Sequence, residues 1–202
     1  MKRLTDLVLS TIGIIIASPI MLAMAIAIKL YDGGPVFFRH PRLTRGNRVF
    51  KAYKFRSHDL RYSGLEPEEA FAKLGKPELA IEYRKNGDML PDDPRVTPVG
   101  RFIRRTSLDE LGQLFNVFTG DISLVGPRAL VPGELAAYTK RHAILSVKSG
   151  ITGLAQVSGR SSISFDERRQ LDLYYVQNWS LWSDLIIIIK TLWVVVTRRG
   201  VR

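Results

Sequence analysis

The chain reads as two apolar ends around a polar middle. From Leu7 to Ile28 no side chain is ionisable, and Leu, Ile, Val, Ala and Met fill most positions. A helix rising ~1.5 Å per residue over that run would just cross a hydrocarbon layer of roughly 30 Å. Ser18-Pro19 falls at its middle. Proline there has no N–H to donate, and its ring crowds the carbonyl four residues back, at Ile15. Three readings of the segment compete. The first is a single-pass anchor, straight or kinked. The second is a signal peptide with small-x-small tripeptides at Ala23-Met24-Ala25 and Ala25-Ile26-Ala27, although the run exceeds the usual ~7–15 residues of a signal core. The third is a re-entrant helix, bent at Ser18-Pro19, that enters and leaves through one leaflet. A serine hydroxyl can satisfy a carbonyl freed by proline in lipid. The positive charges at Lys2, Arg3 and Lys29 suit two cytoplasmic ends.

The second apolar stretch, Leu185 to Val196, is interrupted by Lys190 and is too short to span. Trp179, Trp182 and Trp193 flank it or lie within it, and Arg198, Arg199 and Arg202 follow. This suits a segment lying at the headgroup level. A buried core element has the same periodicity.

Between the ends, residues 35–39 and 48–55 predict two short strands joined by a turn at Arg45-Gly46-Asn47. Glu68 to Leu74 and Glu78 to Lys85 predict short helices within the polar, Gly- and Pro-punctuated residues 62–93. Ser107-Leu108-Asp109-Glu110 is a capping-box pattern opening an apolar-periodic run through Leu111, Leu114, Phe115 and Phe118.

Charge and composition then narrow the chemistry. With 30 Lys+Arg against 19 Asp+Glu the net charge is +11, so an anionic partner is expected: nucleic acid, anionic lipid or a phosphorylated small molecule. Hydrophobic residues at 46% exclude a disordered chain, and the absence of Cys excludes disulfides, thiol nucleophiles and thiolate metal sites. The three histidines, His40, His58 and His142, have no metal spacing, and there is no P-loop, dinucleotide fingerprint or Gly-x-Ser-x-Gly.

The remaining chemistry lies in 101–128 and 150–160. Asp109 and Glu110, in a first helical turn, sit beside free N–H groups and the positive helix end, which should keep them ionised. Capping is the purely structural use of the same residues. The chemical use is attack on a diphosphate by one carboxylate while the other holds a metal. Like-charge repulsion is then cancelled by Mg²⁺ and by Arg101, Arg104, Arg105 and Arg128. In Gly150 to Arg160, glycine allows a backbone to approach a ligand and Arg160 can grip a phosphate; a turn-rich connector is the plain alternative.

These segments together resemble the small monotopic phosphoglycosyl transferases, a family of bacterial sugar transferases, over almost the whole chain. The markers are Ser18-Pro19; Gly34-Pro35-Val36-Phe37-Phe38; residues 50–57; Asp93-Pro94-Arg95-Val96-Thr97; residues 106–111; residues 120–128; and residues 150–160. The resemblance implies an α+β, mostly helical fold. It has a re-entrant membrane helix over 1–30 broken at Ser18-Pro19, interfacial amphipathic helices, a small β-hairpin and a cytoplasmic catalytic face. Residues 31–202 would form the catalytic domain as one unit with that helix. It implies transfer of a sugar-1-phosphate from a UDP-sugar to polyprenol (undecaprenyl) phosphate at the bacterial inner membrane, with release of UMP, as the first membrane step of glycoconjugate assembly.

By the same resemblance Asp109 is the nucleophile that carries the phosphosugar and Glu110 the Mg²⁺ ligand. Arg128 and Arg160 contact substrate phosphate, with Arg104 or Arg105 doing likewise. Anionic phospholipid is an expected partner and nucleic acid is not; a homodimer is left open. Three departures stand out. Gly112 replaces the family's usual Pro and should loosen the helix start. Lys148-Ser149 replaces Arg-Pro, so that Lys148 could supply the charge. Residues 62–90 are longer than in many small members. The rival reading is an inactive relative or a basic membrane-surface scaffold, for which Asp109 and Glu110 would be dispensable.

Overall fold

The computed structural model describes residues 1–86, 90–137, 140–159 and 163–197. Helix α1 (Lys2–Asp32) carries the apolar N-terminal run. It stays helical through Ser18-Pro19, so the expected break is not an interruption of the helix. The reason is local. Ser18 Oγ donates to the Ile15 carbonyl at 2.8 Å, the very group that proline leaves without an N–H partner. Gly33, at φ 70°, then ends the helix, its N–H returning to the Lys29 carbonyl.

Both ends of α1 are bonded to the same body. At the start, Lys2 pairs with Asp184, and Arg3 donates to the carbonyls of Val117 at 2.6 Å and Phe118 at 2.7 Å. The buried Asp6 carboxylate accepts from Ser123 Oγ at 2.8 Å and from the Leu124 N–H at 3.0 Å. At the far end Asp32 accepts from the Arg56 guanidinium and from the Leu60 N–H at 3.2 Å. Between these polar anchors Met21, Met24 and Ile28 pack against Phe55 and Ile103. The opposite face, including Ile12, Ile15, Ile16, Ile20, Leu22 and Ile26, is exposed.

Strands β1 (Phe37–Thr44) and β2 (Arg48–Phe55) form an antiparallel hairpin in which Phe38 faces Lys54, His40 faces Ala52 and Arg42 faces Phe50. Side chains opposite one another share a face. Phe50 and Ala52 bury against Val117, Ile122 and Ala129, and Lys54 continues their face toward the strand end. The turn at 45–47 has positive φ at Gly46 and Asn47, residues that tolerate it.

Helices α2 (Pro67–Lys73) and α3 (Glu78–Lys85) lie where the Gly and Pro punctuation puts them. Arg95 fastens this pair to the body. Its guanidinium stands 4.1 Å from the Phe71 ring centre and 4.7 Å from that of Tyr83, and pairs with Asp93 at 2.7 Å. Helix α4 (Pro98–Arg105) starts on a Thr97 cap, and a 3₁₀ turn at Leu108–Gly112 leads into α5 (Gln113–Thr119).

Strand β3 (Ser123–Val125) is followed, past a short helix α6 (Arg141–Ile144), by its parallel partner β4 (Gly150–Thr152). A methyl group on Gly150 would lie 2.1 Å from the Gly126 nitrogen, so two backbones meet here. The glycines of this stretch therefore serve backbone contact, where the sequence suggested approach to a ligand. Helix α7 (Leu154–Ser158) follows, and Arg160 lies outside the described residues.

Helices α8 (Phe165–Gln177) and α9 (Leu181–Thr197) close the fold. The C-terminal apolar stretch is thus helical. Its Ile187 is buried with Val125 and Tyr175, whereas Trp182, Leu192 and Trp193 are each more than 60% exposed.

One buried group stands apart. Asp172 on α8 is fully buried, and neither carboxylate oxygen reaches a hydrogen-bond partner among the described residues. Burial pushes its pKa up to about 7; the nearby polar backbone of Arg128, too far for a hydrogen bond, and the charges of Arg128 and Arg168 pull the other way without cancelling it. The folded chain therefore holds a proton that the unfolded chain has lost between pH ~4 and ~7, and stability should fall across that window by about 1.4 kcal/mol per pH unit. Asp172→Asn removes this dependence. In detergent, the unfolding midpoint of the variant relative to the parent should rise from pH 5 to pH 8; a difference independent of pH would contradict the assignment.

Candidate active site

The site begins at a turn that departs from the sequence expectation. Ser107 adopts φ 56° and caps nothing with its hydroxyl, so the capping box is not formed. The following residues coil as a 3₁₀ turn because they are pressed onto β2. A methyl group added to Gly112 would lie 2.8 Å from the Tyr53 carbonyl oxygen. Leu108 and Leu111 drop into the core beside Phe55 and Ile103. Gly112, expected to loosen a helix, is instead the point of close approach.

Packing those leucines inward leaves Asp109 and Glu110 facing the hairpin. Lys54 Nζ stands 3.4 Å from Asp109 Oδ2 and 2.9 Å from Glu110 Oε1. This third party has no role in the sequence reading, where Lys54 falls only within the predicted strand 48–55. Asn116 holds the arrangement. Fully buried, it accepts from the Tyr53 N–H at 2.9 Å and donates to the Lys51 carbonyl at 3.0 Å, supplying strand-like partners to β2.

The two carboxylates differ in setting. The Asp109 side chain is 19% exposed and that of Glu110 is 46% exposed. Burial pushes the Asp109 carboxyl up and Glu110 adds like-charge repulsion; Lys54 and, more weakly, Arg104 oppose them, and the balance lies above the ordinary aspartate value. The helix-end argument pointed the other way, and desolvation outweighs it. For Lys54, burial pulls down, but Glu110 and Asp109 outweigh it and hold the ammonium above the usual lysine value. A half-buried carboxylate beside an obligate cation is suited to attack at phosphorus. Among the described residues no group of three His, Asp or Glu side chains gathers as a metal cage. An exposed Glu110 next to Asp109 still fits Mg²⁺, which commonly takes one or two carboxylates and completes its shell with water and substrate phosphate.

The predicted arginines divide. Arg104 reaches His58, Nη2 to Nε2 at 3.2 Å, and acts on Asp109. Burial, then Arg104, lower His58 to about 4, so its neutral ring accepts from the guanidinium. Arg105 is exposed and makes no hydrogen bond or ion pair among the described residues. Arg128 pairs with Glu134 at 3.1 Å, close to Arg42 of β1. Arg42 in turn feels Glu110, so it links the two charge groups along one hairpin face. Lys148, which in the sequence could supply the missing charge, donates to the Gly120 carbonyl at 2.6 Å. Ser18 and Pro19 lie in α1, with Ser18 Oγ bonded to Ile15 rather than to any member of this charge group.

Comparison with known proteins agrees with this layout. The family description "Bacterial sugar transferase" matches residues 1–198. An undecaprenyl-phosphate galactose phosphotransferase of Salmonella typhimurium is 45% identical over 203 residues, covering 99% of this chain and 41% of the relative. An uncharacterized sugar transferase of Haemophilus influenzae is 43% identical over 203 residues, covering 99% of this chain and 42% of that protein. The exopolysaccharide production protein ExoY of Rhizobium meliloti is 40% identical over 200 residues, covering 98% of this chain and 87% of the relative. The chain thus spans less than half the length of the first two and most of the third. With a match along nearly its whole length, the chain belongs to the bacterial sugar transferases.

Proposed function

We propose that this chain moves a sugar-1-phosphate from a UDP-sugar to polyprenol phosphate at the cytoplasmic face of the bacterial inner membrane. The observation that carries the reading is the partly buried Asp109 that shares Lys54 with Glu110, with Arg104 acting on Asp109 and Arg42 linking Glu110 to Arg128. Relatives named as undecaprenyl-phosphate sugar phosphotransferases support the substrate classes.

In the first step an Asp109 carboxylate oxygen attacks the phosphorus that bears the sugar. The bond from that phosphorus to the bridging oxygen breaks, and UMP leaves with the electron pair. In the second step a phosphate oxygen of polyprenol phosphate attacks the phosphosugar, freeing the Asp109 carboxylate and leaving a polyprenol diphosphate sugar. Lys54 keeps Asp109 ionised despite burial and offsets charge as the diphosphate arrives. Arg128, and Arg160 by family resemblance, neutralise the diphosphate; Arg104 stands nearer the nucleophile. Glu110 would hold Mg²⁺, whose chemistry is to neutralise phosphate charge.

The membrane reading rests on α1. A spanning helix separates its ends by the bilayer, whereas here Lys2, Arg3 and Asp6 at one end and Asp32 at the other bond to one body. The exposed apolar face of α1, with the exposed tryptophans of α9, would then sit in one leaflet and keep Asp109 near the headgroups.

Asp109→Asn should abolish UMP release while membrane association persists, and intact-mass analysis after incubation with donor alone should show a sugar-phosphate adduct on the parent and none on the variant. Near-normal UMP release by the variant would refute the nucleophile. EDTA should stop turnover and added Mg²⁺ restore it; turnover unaffected by chelation would remove Glu110 from metal binding. Because attack needs ionised Asp109, the acid limb of the pH–rate profile should lie above that of an ordinary aspartate. Lys54→Met should move that limb to still higher pH, and a limb that stays put would show that Lys54 does not tune the nucleophile.

A further inference from the structure

Arg42 and Arg128 converge near the Glu134 carboxylate, which has another tie; Glu110 also acts on Arg42, and Arg128 also acts on the buried Asp172. Arg128 Nη1 lies 3.2 and 3.1 Å from the two oxygens of Glu134, and Glu134 Oε2 also accepts the Val131 N–H at 2.9 Å. Arg42 has no ion pair and one hydrogen bond, to the Ala129 carbonyl at 3.1 Å, among the described residues. Burial, then the like charge of Arg128, push Arg42 down to about 10, even with Glu134 and Glu110 acting to hold it up. Two guanidinium groups are thus gathered near the Glu134 carboxylate, on the hairpin face that leads to Lys54 and Asp109. A partly buried guanidinium with donors to spare is stabilised when an anion completes it.

We propose that Arg42 and Arg128 form a two-arginine phosphate subsite beside the nucleophile, in which Glu134 is a resident counter-anion that a substrate phosphate displaces. The inference rests on the transferase reading for its choice of phosphates, and assigns roles to Arg42 and Glu134 that the relatives' names do not. A carboxylate presents two oxygens to Arg128 much as a phosphate does. It stabilises the paired cations in the free protein, and it competes with the substrate. Its tie to Val131 keeps it on its own turn, so that release from Arg128 costs one ion pair rather than a refolded loop. The subsite can take a phosphate of the donor diphosphate or the phosphate of the polyprenol acceptor.

The two sources and the two roles of Glu134 are separable by binding measurements on the full chain in nanodiscs. UMP serves as the donor-side probe and a short-chain polyprenyl phosphate as the acceptor-side probe. Glu134→Gln keeps the side chain's size and removes the competing charge. It should tighten at least one probe by about two- to fivefold, the span expected for one partly exposed ion pair. The probe that responds identifies the source. Arg42→Lys should weaken that same probe; should this variant fail to fold, the half-exposed Glu134→Gln change decides alone. If Glu134 merely positions Arg128, Glu134→Gln will weaken both probes, and that result, or no change in either, overturns the proposal. Parent protein that releases UMP while Glu134→Gln loosens binding would sink this inference and leave the transferase reading intact. Tightening by Glu134→Gln in a protein that releases no UMP from any UDP-sugar would do the reverse.

Discussion

The pairing of Lys54 with Asp109 and Glu110 is the constraint around which the site is built. Two adjacent carboxylates repel each other, and one of them is largely taken from water. Without the ammonium, burial and the neighbouring Glu110 would push the Asp109 carboxyl further above the ordinary aspartate value. Much of the surrounding structure serves to keep Lys54 where it is. Asn116 clasps the backbone of β2 on either side of Ala52. Gly112 lets the carboxylate turn press against Tyr53. Phe55, one residue beyond Lys54, is buried with α1 and α4, so the strand cannot slide without pulling an aromatic ring from the core.

The same hairpin explains how a large surplus of positive charge is used. Basic residues of β1 and β2 do not form one solvated face. Arg48 pairs with Asp121 at 3.0 Å, Arg56, just past β2, with Asp32, and Lys54 with the carboxylate pair. Arg42, by contrast, is partly buried with a like charge beside it. By the strand register Arg42, Arg48 and Lys54 share one face, so it is position along that face, Arg48 beside the turn and Lys54 toward the far end, that separates the cation used for architecture from the one paired with the two carboxylates.

How much of this the sequence disclosed follows from the range of each interaction. The second strand and the short helices α2 and α3 are written in local alternation and in Gly, Pro and Asn signals, and they appear where those signals put them. The first strand, expected at 35–39, begins at Phe37 and runs on through Pro41 to Thr44 because it pairs with β2 along its whole length. The turn at 107–112 was misread because its capping-box pattern is local while its controlling contacts are not. Glu110 meets Lys54, 56 positions earlier in the chain, instead of reaching back to Ser107. Gly112 looked like a weak helix former because nothing local reveals Tyr53 lying against it. The Gly150 stretch carried a true signal, close approach, with the wrong partner: a second backbone stands where a ligand was expected. Lys54 and Arg42 could have been singled out by one step beyond composition. Pairing the two strands about the 45–47 turn places both on a single face.

The geometry of α1 connects that face to the membrane. A serine at 18 lets the helix keep its conformation through Pro19, so its rigidity is maintained along its whole length. Its polar anchors differ at the two ends. Asp6 reaches β3 through Ser123 and Leu124, three residues before Pro127-Arg128, and Asp32 reaches Arg56, two residues after Lys54. One helix therefore braces both strands that carry the charged groups of the site, and it exposes an apolar stripe on its far side. A lipid-bound α1 would fix the height of Arg128 and Lys54 together, since neither strand can shift relative to the helix without breaking a buried carboxylate's hydrogen bonds, which is costly. The apolar helix is in this sense part of the frame that holds the charged groups, bonded at both ends to the body that carries them.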